Sequence, residues 1–326
     1  MLHDNYSIRE TKRTMKDKNP VITVLLLFLF MQLPMLIVGV ISGLAITFSN
    51  PSITKNPQTM MNYFNSIDSE YRLLGMLFLT ILVSISVYIF AKKIQKRNKE
   101  SLGLTSPNKL KNYIKGLLLG LGMIGGVILI LKILGLIEIK SNIANISPII
   151  YLFIIIGWIC QGFEEELVTR SILMNFLAAK YSPLVGIISN ALIFSLLHLA
   201  NNSFGLLAAI NIFIVGILFS LLFYVSDDIM LSSAAHSFWN FAQGNIFGIS
   251  VSGMANSKNT IFISKLLGNP SLTGGAFGIE GGLATTIVLT IVTIYLIKKA
   301  KDKSLIYGAY DGKDEAEKQS QLSDDK

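Results

Sequence analysis

Charge is scarce in this chain. Only 15% of its 326 residues are charged, whereas 52% are hydrophobic. Soluble domains carry about 25% charged residues, and the mean hydropathy here is +0.57. Several uncharged runs reach the roughly 20 residues that a helix needs to cross a bilayer. The scarcity of charge therefore argues against an ordinary soluble domain and indicates a polytopic helical membrane protein.

Cysteine, histidine and zinc motifs are also scarce. The one cysteine, Cys160, lies in an apolar run, so it cannot form an intramolecular disulfide, and we interpret it as packing. Of the three histidines, His3 precedes the first apolar run, while His198 and His236 lie within apolar stretches. No HExxH zinc motif is present. These absences exclude a disulfide framework and the most recognisable zinc-protease pattern.

Eight apolar segments have the composition of membrane helices, and they are predicted at 21–48, 73–91, 116–137, 148–179, 183–200, 205–225, 229–247 and 281–298. The predicted fold class is thus an all-α polytopic membrane protein with about eight transmembrane helices. We divide the chain into a basic flank (1–20), a membrane-embedded domain (21–300) and a charged tail (301–326). The polar composition of the tail predicts disorder.

Basic residues predict the orientation. They cluster in the N-terminal flank, in the loop 92–115, which carries eight, and at the start of the tail. Loops rich in lysine and arginine stay in the cytoplasm, so we expect both termini to be cytoplasmic and the loop 248–280 to be external. This distribution explains the net charge of +8 as membrane anchoring and does not favour a nucleic-acid partner. We expect a multi-pass protein of a bacterial cell membrane.

The external loop 248–280 contains two recognisable stretches. Its centre, TIFISKLLG, is apolar enough to lie on the membrane surface. Its end, TGGAFGIEGG, is rich in glycine, which permits positive φ. We therefore predict a tight backbone structure at the end of the loop.

Ionisable residues inside membrane spans are costly and indicate function by default. The fourth segment carries Glu164, Glu165, Glu166 and Arg170. Glu166 and Arg170 are four residues apart, so they can pair on one helix face, and we interpret that pair as structural. Adjacent helical residues diverge by about 100°. Glu165 is therefore expected to be unpaired within its own helix and to need a partner from another helix.

Two further segments contribute polar groups at comparable depth. His198 belongs to the fifth segment, while His236 and Asn240 lie four residues apart on one face of the seventh. A single membrane histidine often only hydrogen-bonds a neighbouring helix. Two histidines, an asparagine and a carboxylate on three helices instead favour a shared pocket.

This group of side chains suits hydrolysis of a peptide bond. Glu165 would act as the general base on a water that His198 helps to hold, and His236 with Asn240 would donate hydrogen bonds to the developing oxyanion. No cofactor is favoured. The alternative is Zn2+ bound by Glu165, His198 and His236. A nucleophilic mechanism is less favoured because Cys160 lies upstream of the cluster and no serine stands out.

Three motifs carry a family resemblance. Glu165-Glu166-Leu-Val-Thr-Arg170 fits EExxxR, Phe194-Ser-Leu-Leu-His198 fits FxxxH, and His236-Ser-Phe-Trp-Asn240 fits HxxxN. Together, in this order on separate helices, they resemble the CAAX protease and bacteriocin-processing family (CPBP, also ABI). The family-like region covers roughly 110–300.

The resemblance implies an intramembrane endopeptidase of about eight helices. It implies that Glu165 is the base, that His198 assists it, and that His236 and Asn240 form the oxyanion site. Of the mechanisms suggested for such enzymes, we favour a glutamate-activated water without an essential metal. Two positions depart from the usual motif, Thr169 in place of a large aromatic and Ser171 in place of glycine.

The predicted function is cleavage of a peptide or membrane-protein substrate within the lipid bilayer. The Lys-, Asn- and Ile-rich sequence suggests a low-GC bacterium, so we favour maturation of a peptide pheromone or bacteriocin, or self-immunity against one. The main alternative is a non-catalytic membrane scaffold that regulates a partner such as a sensor kinase. A proton-coupled transporter is a third reading, but the sequence has neither an internal repeat nor an obviously broken helix.

Overall fold

The computed structural model describes residues 2–15, 19–254 and 256–305. Its helices are α1 Tyr6–Thr14, α2 Pro20–Ser49, α3 Pro57–Ser66, α4 Ser69–Ile89, α5 Lys109–Ile133, α6 Pro148–Glu166, α7 Asn175–Lys180, α8 Pro183–Leu197, α9 Leu206–Ser226, α10 Ile229–Phe241, α11 Pro270–Thr273 and α12 Leu283–Asp302. The helical path widens into π turns at Phe90–Ile94, Leu167–Met174 and Ala242–Ile246. Short 3₁₀ turns lie at Ile53–Lys55, Ile143–Asn145, Gly275–Phe277 and Ile279–Gly281. The strands are β1 Ile137–Ser141 and β2 Phe262–Leu266.

The predicted all-α polytopic membrane fold is confirmed. Six helical stretches are long and apolar enough to cross a membrane, and these are 20–49, 69–94, 109–133, 148–180, 206–226 and 283–302. A helix also occupies each of the other two predicted positions, but α8 has only 15 residues and α10 only 13. The helices that carry two of the three motifs are therefore the shortest of the eight.

Contacts at the helix ends assemble one face of the bundle. The backbone N–H of Ser7 donates to Asp227 Oδ1 at 3.0 Å, which joins the N-terminal segment to the turn between α9 and α10. The N–H of Ile229 donates to the carbonyl of Gly103 at 3.1 Å, and Lys303 Nζ donates to the carbonyl of Val225 at 3.1 Å. The N-terminus, the basic loop, the α9–α10 turn and the end of α12 thus share this face.

The opposite face is assembled by the segment after α10. Lys258 pairs with Asp68, at the start of α4, over 2.8 Å. Asn201, just after α8, donates to the carbonyl of Ser252 at 2.9 Å. Since α8 ends and α9 begins at this face, while α10 begins at the other, both short helices connect the two faces. All eight predicted segments therefore run through the bundle.

The segment predicted as a basic flank contains a packed helix. In α1, Ser7, Ile8 and Thr11 are buried, and Asn175 of α7 donates to Ser7 Oγ at 3.1 Å. Burial raises the pKa of Asp227, which accepts from the Ser7 backbone. The predicted disorder of the charged tail lies outside the described residues from 306 onward, as do Lys16 and Lys18 of the flank.

The loops that we expect to be external contain a strand pair that the hydropathy pattern did not predict. The third apolar segment was predicted to reach residue 137, but α5 ends at Ile133, and Gly135 turns the chain with φ of 68°. β1 then pairs antiparallel with β2, which is the centre of TIFISKLLG. The predicted glycine-rich turn is confirmed, because Gly274 and Gly278 have φ of 91° and 103°.

Close helix packing fixes the position of α10, which carries the third motif. A Cβ at Gly116 or Gly120 of α5 would collide with the α10 backbone at Leu231 or Ala235, and a Cβ at Gly162 of α6 would collide with Ser237. Small residues at such crossings let backbones approach closely. Consequently α10 is held between α5 and α6, with its motif face turned toward the acidic end of α6.

The orientation of this bundle is testable by cysteine labelling in intact cells. In a Cys160→Ala background, we expect a membrane-impermeant maleimide to label Asn256→Cys in the loop 248–280. We expect this loop to be external because the lysine- and arginine-rich loops at the opposite face are retained in the cytoplasm. Lys301→Cys, at the opposite face, should react only after the cells are permeabilised. Labelling of Lys301→Cys but not Asn256→Cys in intact cells would reverse the assigned orientation.

Candidate active site

The first motif lies where α6 widens into a π turn, a distortion that is frequent at functional sites. The predicted ion pair forms there, with Arg170 Nη1 2.8 Å from Glu166 Oε1 and both side chains fully buried. The Arg170 guanidinium lies 4.4 Å from the Phe194 ring centroid and 5.4 Å from that of Phe219. Phe194, the first residue of FxxxH, thus packs against the arginine of EExxxR.

Glu166 also holds the histidine of the third motif. His236 Nδ1 lies 2.9 Å from Glu166 Oε1. Because a carboxylate accepts, Nδ1 carries the hydrogen, and Nε2 is directed away from Glu166. The His236 ring is also stacked on Phe219, with centroids 4.8 Å apart. The structural pair therefore orients a predicted site residue, a link that helix spacing alone does not reveal.

Glu165 has partners from its own helix and from another. Gln161 Nε2 donates to Glu165 Oε1, so the expectation that Glu165 is unpaired within its own helix is wrong. Glu165 also meets a residue from another helix, as expected, and this residue is His236, whose Nε2 lies 3.5 Å from Glu165 Oε2. Glu165 Oε2 accepts no hydrogen bond. The Glu165 side chain remains 26% exposed, so part of it faces open space.

Gln161 links Glu165 to the third motif. Its Oε1 accepts a hydrogen bond from Asn240 Nδ2 at 3.0 Å, while its Nε2 donates to Glu165. The sequence carried a signal for this residue, because Gln161 is a polar side chain in an apolar span and lies four residues before Glu165. Gln161 was nevertheless not among the predicted site residues.

His198 lies at the end of its helix, not inside it as expected from the apolar run. It is the residue that follows the last turn of α8, and it is half-buried. Its Nδ1 lies 2.8 Å from the carbonyl oxygen of Phe194. A carbonyl only accepts, so Nδ1 donates and Nε2 is left with a free lone pair. His198 can therefore accept a hydrogen bond from a water or a substrate.

One cavity brings the predicted residues together. It has a volume of about 460 Å³, and Glu165, His198, His236 and Asn240 all line it. Gln161 and Phe194 are also part of the wall. The motifs on α6, α8 and α10 thus converge on a single space within the membrane-embedded bundle.

Comparison with known families agrees with the motifs. Residues 147–242 match the family model described as Rce1-like, type II CAAX prenyl endopeptidase. This segment is therefore similar to the CAAX protease family. The resemblance inferred from the three motifs is therefore confirmed, and the family implies a CAAX-type intramembrane protease. Comparisons with curated proteins and with solved structures gave no match.

The two departures from the CAAX protease motif have structural partners. Thr169 Oγ1 donates to the carbonyl of Glu165 and accepts from Arg170 Nη1 at 2.7 Å. Ser171 Oγ donates to the carbonyl of Leu102 at 2.8 Å. Both substitutions therefore supply hydrogen bonds at the π turn, and Ser171 ties it to the loop before α5.

The cavity wall also contains an acidic residue that lies outside the segment matched by the family model. Glu280, in the glycine-rich turn, lines the wall. Its Oε2 accepts from the Ser252 N–H at 2.6 Å and from Ser252 Oγ at 2.8 Å. Gln243 Nε2 and Trp239 Nε1 also donate to the carboxylate, each at 3.3 Å. Glu280 was not among the predicted site residues, because its donors come from distant parts of the chain.

The alternative metal set of Glu165, His198 and His236 does not fit. Within residues 2–15, 19–254 and 256–305, no group of three or more His, Cys, Asp or Glu side chains is arranged to hold a metal ion. We therefore derive no step through a metal at this site.

Proposed function

We propose that this protein is an intramembrane endopeptidase in which Glu165 activates a water. The observation that carries this proposal is the cavity shared by Glu165, His198, His236 and Asn240. The Glu165 side chain lines this cavity and is 26% exposed, so its carboxylate is placed to take the proton of a water that attacks the peptide carbonyl. A positioned general base of this kind contributes roughly 10²–10⁴-fold to a rate.

His198 positions the water in this proposal. Its Nδ1 donates to the Phe194 carbonyl, so its Nε2 keeps a lone pair that can accept a hydrogen bond from the water. A water that donates one hydrogen to His198 and the other to Glu165 would present its oxygen to the substrate. The proton taken by Glu165 is then available for the amine that leaves.

His236 and Asn240 stabilise the oxyanion in this proposal. His236 can donate from Nε2 only as an imidazolium, because Nδ1 already donates to Glu166. The amide Nδ2 of Asn240 now donates to Gln161, and a substrate oxyanion would compete for one of its two N–H groups.

A peptide precursor is the substrate class that we favour. Met31, Met35 and Met76 line the cavity on the side of α2 and α4, and flexible methionines accommodate varied apolar segments. The bacterial character of the composition supports a pheromone or bacteriocin precursor, or self-immunity against such a peptide. The lipid bilayer would supply the substrate laterally or at its surface.

The oxyanion role predicts a large but incomplete loss in Asn240→Ala. Removal of one oxyanion donor costs about 10²–10³-fold in kcat. We expect cleavage of a reconstituted precursor peptide to fall by that factor, with KM less affected, since the interaction forms only in the transition state. A matched control is Asn108→Ala, whose side chain makes no capping bond before α5. Equal kcat in Asn240→Ala and the control would remove the oxyanion assignment.

The water mechanism also predicts insensitivity to metal removal. Purified protein treated with a chelator and then dialysed should cleave at a rate within about twofold of the untreated sample, because a general base needs no bound metal to act. The measurement is the initial cleavage rate before and after chelation, followed by zinc addition. Loss of activity in chelator with recovery in zinc would keep the protease and replace the mechanism by one in which a metal activates the water.

A further inference from the structure

Three carboxylates line the cavity, and they differ in what they already bind. Glu165 accepts from Gln161 and lies near His236. Glu280 accepts from four donors on Trp239, Gln243 and Ser252. Glu164 lines the same wall, is only 7% exposed, and makes no hydrogen bond or ion pair with any residue that the structure describes. Glu164 is thus a buried acid without a protein partner.

The helix geometry places Glu164 on a different side of the cavity from Glu280. A Cβ at Gly157 of α6 would meet the Leu77 side chain of α4. Glu164 follows Gly157 by seven residues, or about two turns, so it lies on the same face and is directed toward α4. Leu77, Met76 and Val168 line the cavity there. The part of the wall that α2 and α4 contribute is apolar except for Gln32 and Thr80, and it carries no charged side chain.

An ionised carboxylate in apolar surroundings is costly unless a cation accompanies it. Among the described residues that line the cavity, there is no lysine or arginine that could pair with Glu164. Arg170, the nearest cation in sequence, is engaged by Glu166 and Thr169. The missing cation must come from outside the protein, or the group must carry a proton.

We propose that Glu164 is a specificity subsite for a cationic side chain, lysine or arginine, of the peptide substrate. This inference rests on the proposed function and deepens it. A charge-assisted hydrogen bond between the two groups would satisfy both in a region where neither is stable alone. Because Glu164 precedes Glu165 directly in the chain, the bound cation would fix the position of the scissile bond relative to the base. Preferred substrates then carry a basic residue close to the cleaved bond, within an apolar segment.

Binding without turnover tests this subsite separately from proteolysis. The protein is the Glu165→Gln variant in nanodiscs of phosphatidylcholine, which carries no net charge. The probes are fluorescent apolar peptides that are identical except for one lysine, glutamine or glutamate, moved along the sequence. We expect the best lysine peptide to bind at least about tenfold more tightly than its glutamine counterpart, since a desolvated charge pair exceeds that factor. The glutamate peptide should bind most weakly.

Double variants identify the carboxylate that is responsible. In Glu164→Gln combined with Glu165→Gln, the preference for lysine over glutamine should fall below about twofold. Glu280→Gln in the same background is the matched control, and it should retain the preference because Glu280 is already engaged by four donors. Glu164→Asp keeps the charge, should retain a preference for lysine, and provides a second variant if Glu164→Gln does not fold.

The outcomes separate the two proposals. Absence of a lysine preference in Glu165→Gln, or its persistence without the Glu164 carboxylate, would overturn the subsite. A lysine preference that depends on Glu164, together with no cleavage by the wild-type protein, would leave the cation subsite standing and remove the proposed proteolysis. Cleavage of the lysine and glutamine peptides at equal kcat/KM and with equal binding would keep the proposed proteolysis and remove the cation subsite.

Discussion

Replacement of Glu165 by glutamine is expected to lower the cleavage rate by roughly 10²–10⁴-fold, the usual contribution of a general base. Glutamine keeps the length of the side chain and can still meet Gln161 and His236, but it cannot take a proton from water. The expected loss is in kcat, because substrate contacts elsewhere in the cavity remain. The measurement is single-turnover cleavage of a reconstituted precursor peptide, with thermal unfolding recorded on the same preparation.

The matched control for this substitution is Glu138→Gln. Glu138 is exposed on β1 and does not line the cavity, so the same chemical change there should leave the cleavage rate unchanged. Wild-type turnover by Glu165→Gln would remove the base assignment. If the unfolding temperatures of both variants also match the wild type, that result would favour the alternative of a non-catalytic membrane scaffold.

Replacement of Arg170 by alanine should destabilise the protein more than any surface change. The Glu166 carboxylate would remain fully buried without its guanidinium, and breaking a buried pair in this way costs about 3–5 kcal/mol. The rings of Phe194 and Phe219 would also lose the cation that lies against them. We expect lower yield, a lower unfolding temperature and loss of activity, because His236 depends on Glu166 for its orientation.

Arg13→Ala is the corresponding control on the surface. Arg13 pairs with Glu10 in α1, but its side chain is 68% exposed, and exposed pairs contribute little. Its yield and unfolding temperature should match the wild type. A normal yield and unfolding temperature for Arg170→Ala would show that the buried pair is not structural.

The helical membrane architecture was predictable because its cause is local. Long apolar runs and the distribution of lysine and arginine are read directly from the sequence, and all eight predicted segments contain a helix. The lengths of α8 and α10 were less predictable. The apolar run of α8 continues through Leu199, but the helix ends at Leu197 and the chain turns toward Ser252.

Residue types predicted that the site residues would converge, but they did not predict which of these residues would contact each other. Spacing of four residues predicted the Glu166–Arg170 pair correctly. The contact of Glu166 with His236 depends on how α10 packs against α6, which the small residues Gly162 and Ser237 permit. No pattern within a single helix contains that information.

Gln161 and Glu280 were not predicted as site residues, and the reasons differ. Gln161 carried a usable signal, because it is polar, lies in an apolar span and shares a face with Glu165. Glu280 did not, because its role depends on donors from α10 and the following loop that meet only in the folded chain. The pairing of β1 with β2 likewise joins segments more than a hundred positions apart, Ile137 with Leu266 at one end.

The central claim is that a water activated by Glu165 cleaves a peptide bond in this cavity. Its most direct test is cleavage of a reconstituted precursor peptide in water enriched in ¹⁸O, with mass spectrometry of the new carboxyl end. The account predicts that the wild-type protein incorporates ¹⁸O at one internal peptide bond and that Glu165→Gln, folded to the same unfolding temperature, forms little or no labelled product. Equal amounts of labelled product from the two proteins, or no cleavage by the wild type of any peptide that binds to it, would contradict it.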